Sequence, residues 1–313
     1  MSLPKPLGNV SKDAFIPVPS RRFLLAKALR VHQWIKNFLV FVPLLMAHKI
    51  LDGTALVRTS YAFAAWCLCA SGVYLLNDLL DLESDRSHPH KKHRPVASGA
   101  LGPKAVWILT PFLFLSGLAI AFFVLPSPFG PSLVLYLALT TAYSVHLKRM
   151  LIVDVLLLAA LYTLRVLSGG FAAAIPVSPW LLAFSMFLFL SLAFVKRYAE
   201  LRDVATESRA ETSRRNYSTL DADVLKTFGS VSGYLSVLVL VLYINSKEVV
   251  ALYHRPTVLW LIGPCLLYWI TRVWLLAHRG EMDEDPILFT VKDPASYVVG
   301  VVVAVVIIAA TLS

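Results

Sequence analysis

VRTSYAFAAWCLCASGVYLLNDLLDLESD, residues 57–85, is the stretch on which the reading of the whole chain turns. Between Arg58 and Asp78 it holds no charge, an interval close to the ~20 apolar residues a helix needs to cross a bilayer. Acids then arrive together, at Asp78, Asp81, Glu83 and Asp85. If the helix continues, Asp81 is i+3 from Asp78 and Asp85 is i+4 from Asp81. Three carboxylates then share one face beside Asn77, while Leu79, Leu80 and Leu82 point elsewhere. Like charges in register repel one another, so the arrangement is stable where cations sit against it. Hard carboxylate oxygens with room for water and phosphate suit Mg2+. The alternative is a solvated helix end whose acids align by chance; the cost of acids at the edge of a membrane weighs against it.

Outward from this segment the same texture repeats. Of 313 residues, 58% are hydrophobic and 15% charged, whereas a water-soluble domain carries about 45–50% and about 25%. An ordinary soluble globule is excluded. Apolar runs bounded by polar or Pro/Gly-rich breaks fall at 35–51, 57–80, 104–125, 130–147, 152–175, 179–196, 226–245, 257–277 and 294–312. They predict an all-α fold, a polytopic membrane bundle of about nine transmembrane helices.

Lys and Arg set the sidedness. With the N-terminus in the cytoplasm, 24 of the 29 basic residues fall on inside segments, Lys49, Arg58, Lys247 and Arg255 fall outside, and Arg165 lies within a span. The outside turns at 126–132 and 175–179 are short and uncharged, while the long loops at 81–103, 197–225 and 278–293 are cytoplasmic, where function concentrates. Residues 1–20 contain four Pro and no apolar run, so 1–21 reads as a disordered cytoplasmic tail and 22–313 as one transmembrane domain. Residues 22–34 alternate apolar and basic positions in the manner of an amphipathic helix lying on the inner surface. Cys67, Cys69 and Cys265 fall inside apolar runs and show no disulfide or zinc pattern.

The pattern Asn77-Asp78-x-x-Asp81-x-x-x-Asp85 resembles the first aspartate-rich motif of the UbiA superfamily of intramembrane prenyltransferases. LRVHQWIKNFLVFVPLL (29–45), HPHKKHRPVASG (88–99), AYSVHLKRMLIVDVLLLAALYTLRVLSGG (142–170) and FVKRYAELRD (194–203) extend the likeness along most of the chain. Together they resemble the decaprenyl-phosphate phosphoribosyltransferase branch, and the H-Q-W-x-K-N and K-R-x-x-E-L segments separate it from quinone-type enzymes. The resemblance implies nine helices around a central cavity opening to the cytoplasm, in the inner membrane of a bacterium. It also implies Mg2+ held by Asp78, Asp81 and Asp85. The reaction it implies is transfer of 5-phosphoribosyl from phosphoribosyl pyrophosphate to a long-chain polyprenyl phosphate. Its product would feed decaprenyl-phosphoryl arabinose synthesis, for cell-envelope polymers or, in rhizobial relatives, for arabinosylation of nodulation factors.

Other charges are placed by spacing. Lys196, Glu200 and Asp203 share a helix face with Arg197 beside them. Where the family has an acidic pair, this second motif has fewer acids and added base, which favours a site gripping extra phosphates. The plain alternative is i,i+4 pairing of Lys196 with Glu200. Arg165, mid-span with Tyr162 one turn before it, needs either a buried acid or a substrate phosphate. Tyr143, Lys148 and Arg149, with Asp154 nearby, belong to the same cytoplasmic mouth, although Lys148 and Arg149 also serve as topology signals. Arg94 is the foremost phosphate contact in the 88–94 loop, whose His88, His90 and His93 lack a metal-site spacing. Lys36 and Asn37 are candidates for holding the acceptor phosphate. Glu281, Asp283, Glu284 and Asp285 read as a solvated acidic turn.

Net charge is +10, and its position at the mouth of the bundle leaves nucleic acid without support as a partner. Polyprenyl phosphate, phosphoribosyl pyrophosphate and membrane lipid are the expected partners. Two other readings stay open. One is a UbiA-type prenyltransferase acting on an aromatic acceptor, for which a more acidic second motif is expected. The other is a non-enzymatic membrane transporter, for which an inverted repeat is expected and none is evident.

Overall fold

The computed structural model describes residues 21–87, 91–206, 216–282 and 285–311. The expected tail up to residue 20, His88, His90, Asp283 and Glu284 lie outside the described residues. The chain begins with α1 (Arg21–Ala28), a 3-10 helix (Val31–Phe41), α2 (Val42–Met46), α3 (Gly53–Leu80) and α4 (Leu82–Ser87). It continues through α5 (Pro103–Phe123), α6 (Phe129–Val145), α7 (Val153–Ala173), α8 (Pro179–Thr206) and α9 (Ala222–Ile244). It ends with α10 (Lys247–Leu252), α11 (Ile262–Arg279), α12 (Pro286–Lys292) and α13 (Pro294–Thr311). Among the described residues the regular structure is all helical.

Among the described residues, seven helical segments are long and apolar enough to cross a membrane: 53–80, 103–123, 153–173, 179–203, 219–244, 256–279 and 294–311. Two further apolar segments, 31–46 and 129–145, are shorter. The short first segment gains reach from its geometry. Eleven of its residues are 3-10, at about 2.0 Å rise each, so with α2 it extends about 30 Å, the thickness of a hydrocarbon core. The amphipathic helix expected over 22–34 is cut short at Ala28, because Arg30 takes a left-handed conformation (φ 51°, ψ 48°) that turns the chain into the 3-10 helix. The long loops expected on the cytoplasmic side also hold more helix than the sequence suggests. α4 lies within 81–103, α8 stays helical to Thr206, and α12 lies within 278–293.

α7 is the central helix. Val155, Ala159 and Val166 pack into a cluster with α8, α9 and α11, while Leu157, Leu161, Leu164 and Ala172 pack into another with α3, α5 and α6. By contrast α5 and α13 turn most of their apolar surface outward, which suits helices at a lipid boundary.

Three residues per turn stack Trp34, Asn37 and Val40 on one side of the 3-10 helix, and all three meet the bundle. Trp34 Nε1 donates to Ser71 Oγ (3.0 Å), Asn37 Nδ2 points at Cys67 Sγ (3.3 Å), and the Val40 backbone lies against Gly169 of α7. A β-carbon on Gly169 would fall 2.0 Å from Val40 O, so only glycine admits this approach. Gly169→Ala is expected to destabilise the fold by about 1–3 kcal/mol. Gly300→Ala, where a β-carbon meets nothing within 4 Å, should be neutral or slightly stabilising. Thermal unfolding of the two variants in detergent checks the contrast; equal midpoints would show that the close approach is unimportant.

Candidate active site

The acids of the first motif do not form a continuous stripe. α3 ends at Leu80, and Asp81 caps it with φ −93° and ψ 9°, so Asp81 is exposed while Asp78 and Asp85 are both buried. The two buried acids converge on Arg94. Its Nη1 lies 2.6 Å from Asp85 Oδ2 and 3.3 Å from Asp78 Oδ1. Arg30 also reaches Asp78 Oδ1, at 2.5 Å, and lies over the Tyr74 ring at 4.8 Å. The family pattern thus yields two carboxylates balanced by two guanidiniums. Asn77, half-buried, lies in the last turn of α3 and its carbonyl accepts the Asp81 N–H.

Among the described residues, no group of three or more His, Cys, Asp or Glu side chains gathers to hold a metal. The chemistry of the donor pair nonetheless fits Mg2+. Asp78 and Asp85 already point at one shared cation, and Mg2+ usually takes one or two protein carboxylates and completes its shell with phosphate and water.

A second cluster lies where the end of α6 and the start of α7 meet the last third of α8. Arg197, 1% exposed, donates from Nε to Asp154, from Nη1 to Glu200 and from Nη2 to Tyr143 Oη (3.1 Å). Asp154 is fully buried and also accepts from Tyr217 Oη at 2.7 Å. Tyr217 in turn accepts the Ile152 N–H, and burial with the neighbouring Asp154 carboxylate pushes its phenol pKa up. Every nitrogen of Arg197 therefore has a protein partner. Lys148 is half-buried and Arg149 exposed in the short turn after α6, and Asp203 is exposed near the end of α8.

The third cluster joins distant parts of the chain. Lys36 on the 3-10 helix donates to Asp285, 249 residues away, and both side chains are largely buried. Asp285 was expected in a solvated turn; instead it caps α12, Oδ1 accepting the N–H groups of Ile287 and Leu288. Burial would push its carboxyl up, but the charges of Lys36 and Lys196 and the Lys36 hydrogen bond hold it below the usual carboxylate range. Asp285, Lys196 and Tyr162 line one small cavity of about 20 Å³ with Leu158, Leu192, Ala193, Pro286 and Ile287.

Arg165 lies deeper. It is eleven residues beyond Asp154, about 16 Å along the helix axis. Among the described residues its partners are neutral, so the buried acid considered for it is not found. Nε donates to Asn37 Oδ1 (3.0 Å), Nη1 to Leu161 O (2.7 Å), and the guanidinium sits 4.8, 5.0 and 5.4 Å from the Trp66, Tyr136 and Tyr162 rings. Such contacts are worth about 0.5–2 kcal/mol each.

Arg30, Asp285, Tyr217, Trp66 and Tyr136 are the site residues that sequence spacing does not find. Arg30 carries a weak signal, a base next to the HQWIKN segment. Trp66 and Tyr136 look like ordinary span residues, and only the depth of Arg165 asks for aromatic partners.

The model of the UbiA prenyltransferase family matches residues 38–292. Among curated relatives, the chain is 35% identical to the uncharacterized protein y4nM of Sinorhizobium fredii, over 88% of this chain and 54% of that one. It is 34% identical to nodulation protein NoeC of Azorhizobium caulinodans, over 87% and 88%. To the decaprenyl-phosphate phosphoribosyltransferase of Mycolicibacterium smegmatis it is 37% identical, over 57% of each chain. The chain thus spans little more than half the length of the first and third of these relatives. Among solved structures, a UbiA homolog from Archaeoglobus fulgidus bound to GPP and Mg2+ superposes with a TM-score of 0.65 at 14% identity, covering 91% of this chain and 96% of that one. With its apolar helices and a family match over most of its length, the chain is a multi-pass membrane protein and belongs to the UbiA prenyltransferase family.

Proposed function

We propose that the protein transfers 5-phosphoribosyl from phosphoribosyl pyrophosphate to a long-chain polyprenyl phosphate. The observation that carries this reading is the pairing of two buried carboxylates, Asp78 and Asp85, with two arginines, Arg30 and Arg94, at the mouth of the bundle. A site so built has carboxylates for a cation and guanidiniums for phosphate oxygens. The likeness to the mycobacterial enzyme supports the choice of donor and acceptor.

In this reading the bond between the anomeric carbon and the pyrophosphate oxygen breaks, and an acceptor phosphate oxygen forms the new bond to that carbon. Asp78 and Asp85 would hold Mg2+, with the exposed Asp81 at the rim of the site. The bound ion would neutralise the departing pyrophosphate and so stabilise charge that develops in the transition state. Arg94 and Arg30 turn from the carboxylates to the donor's phosphates, with Asn77, Lys148 and Arg149 around them. The acceptor oxygen is ionised near neutral pH, so no strong general base is needed.

Lys36 and Lys196 bind the acceptor phosphate beside Tyr162. Arg197, with Tyr143, Glu200 and Asp203 on the neighbouring surface, keeps the ends of α6, α7 and α8 in place. Arg165 positions Asn37, and through it Lys36. The basic partition of the loops supports a cytoplasmic N-terminus in a bacterial inner membrane, the side from which a soluble, highly charged donor arrives. A product used in arabinosylation belongs to this reading through the family resemblance, and relatives named for nodulation and for decaprenyl-phosphate phosphoribosyl transfer accord with it.

Membranes expressing the chain, given polyprenyl phosphate, Mg2+ and radiolabelled phosphoribosyl pyrophosphate, should move label into the lipid phase. Asp78→Ala and Asp85→Ala should each lower that rate by at least about 100-fold. Label that stays in water for wild type as for the variants refutes the reading, and transfer of a prenyl group to an aromatic acid would establish the other branch of the family. Reporter fusions give the sidedness: a reporter active only in the cytoplasm should work at the N-terminus, and one active only outside should fail there.

A second outcome concerns Arg197. Asp154→Ala leaves a buried guanidinium without its main counter-charge, which typically costs about 3–5 kcal/mol. Reduced yield of folded, detergent-extracted protein is expected, with a lower unfolding midpoint. An unchanged midpoint would remove Arg197 from the positioning role.

A further inference from the structure

Asp285 sits where an anion from outside the protein would be expected. Lys36 is 8% exposed and donates to its carboxylate. Lys196, one helix away, lines the same cavity and has no hydrogen bond or ion pair among the described residues, although its charge acts on Asp285. The Tyr162 ring forms another wall. Two ammonium groups therefore face this one carboxylate, while the Glu200 charge also reaches Lys196 from the Arg197 side. The enclosure's volume of about 20 Å³ accepts roughly one water, so a phosphate has no room while Asp285 is in place.

We propose that the Asp285 carboxylate is a built-in substitute for a substrate phosphate between Lys36 and Lys196, and that a phosphate monoester binds there by displacing it. The proposal uses the phosphoribosyl-transfer reading only to choose which phosphates to try. Carboxylate and phosphate both present oxygens to ammonium donors, so the exchange keeps the charge-assisted hydrogen bonds of Lys36 and adds one to Lys196. Without an incoming anion, withdrawal of Asp285 would strand a buried lysine, so the enclosure stays closed. The apparent affinity for phosphate is lowered by the fraction of molecules in which Asp285 is seated. Weakly binding anions are excluded by the same competition. The carboxylate comes from the short segment between α11 and α13, whereas Lys36 is fixed in the 3-10 helix, so the segment carrying Asp285 is the part that yields.

The two phosphate sources are separated by binding, measured on the full chain in detergent without reading turnover. Farnesyl phosphate represents the lipid and phosphoribosyl pyrophosphate the soluble donor. Asp285→Asn is expected to lower the unfolding midpoint of the ligand-free protein, yet to bind one of the two probes about tenfold more tightly, with a larger ligand-induced rise in midpoint than wild type. A purely structural role would lower the midpoint without tightening either probe. Adding Lys196→Ala should abolish the gain. The proposal is overturned if Asp285→Asn binds both probes no better than wild type, or if the gain survives the loss of Lys196. Should Asp285→Asn fail to fold, Lys196→Ala alone, which keeps the Lys36 pair, must weaken one probe by at least about fivefold; unchanged binding of both overturns the proposal. Wild-type protein that gives these binding responses but transfers no label would refute the phosphoribosyl reading and leave the displacement standing.

Discussion

In an apolar bundle a buried charge needs a counter-charge or several polar partners from neighbouring helices, and the Asp154–Arg197 pair is where that requirement ties the most elements together. Asp154 stands in the first turn of α7, the central helix, and Arg197 in the last third of α8. Tyr143 brings in the end of α6, and Tyr217 the segment leading to α9. Once these ends are held, α8 can stay helical past the apolar region to Thr206. Lys196 precedes Arg197 by one residue and so projects about 100° around the helix, toward Asp285. Two neighbouring residues of α8 thus serve two clusters, one around Asp154 and one around Asp285.

The same requirement explains why the first motif is folded as it is. Two buried carboxylates at Asp78 and Asp85 repel one another unless cations intervene, and Arg30 and Arg94 supply them from opposite directions along the chain. The left-handed turn at Arg30 is what lets a residue before the 3-10 helix reach back to the end of α3. The arrangement balances charge in the protein while keeping two carboxylates and two guanidiniums within one site.

The extent of the helices was legible because apolar runs and polar breaks follow directly from the solvent on either side. The end of α3 was not, since Asp81 has no breaker next to it and its neighbours are leucines with good helix propensity. Carboxylate pairing survived that break because it depends on Arg94, nine residues after Asp85, and not on uninterrupted helical register. Asp285 was misread for a different reason. Four acids in a loop resemble a solvated turn, and nothing local announces a lysine 249 residues earlier. Arg165 was legible as a buried cation needing a partner, but its aromatic partners lie on α3, α6 and α7 at spacings indistinguishable from ordinary packing.

The 3-10 helix links these observations mechanically. It is held at successive levels by Arg30 to Asp78, Trp34 to Ser71, Asn37 to Arg165 and the Val40 backbone to Gly169. Moving Lys36 alone would require the rod to shift against a contact that already excludes a methyl group at Gly169. α12, by contrast, is seven residues long, and at its start Asp285 is held by Lys36 and by its own capping bonds. In the proposed exchange, a competing anion would therefore move the short helix and leave the rod in place. Lys36 therefore acts as the fixed side of the pair, and the side chains that report the depth of the site are those of the 3-10 helix.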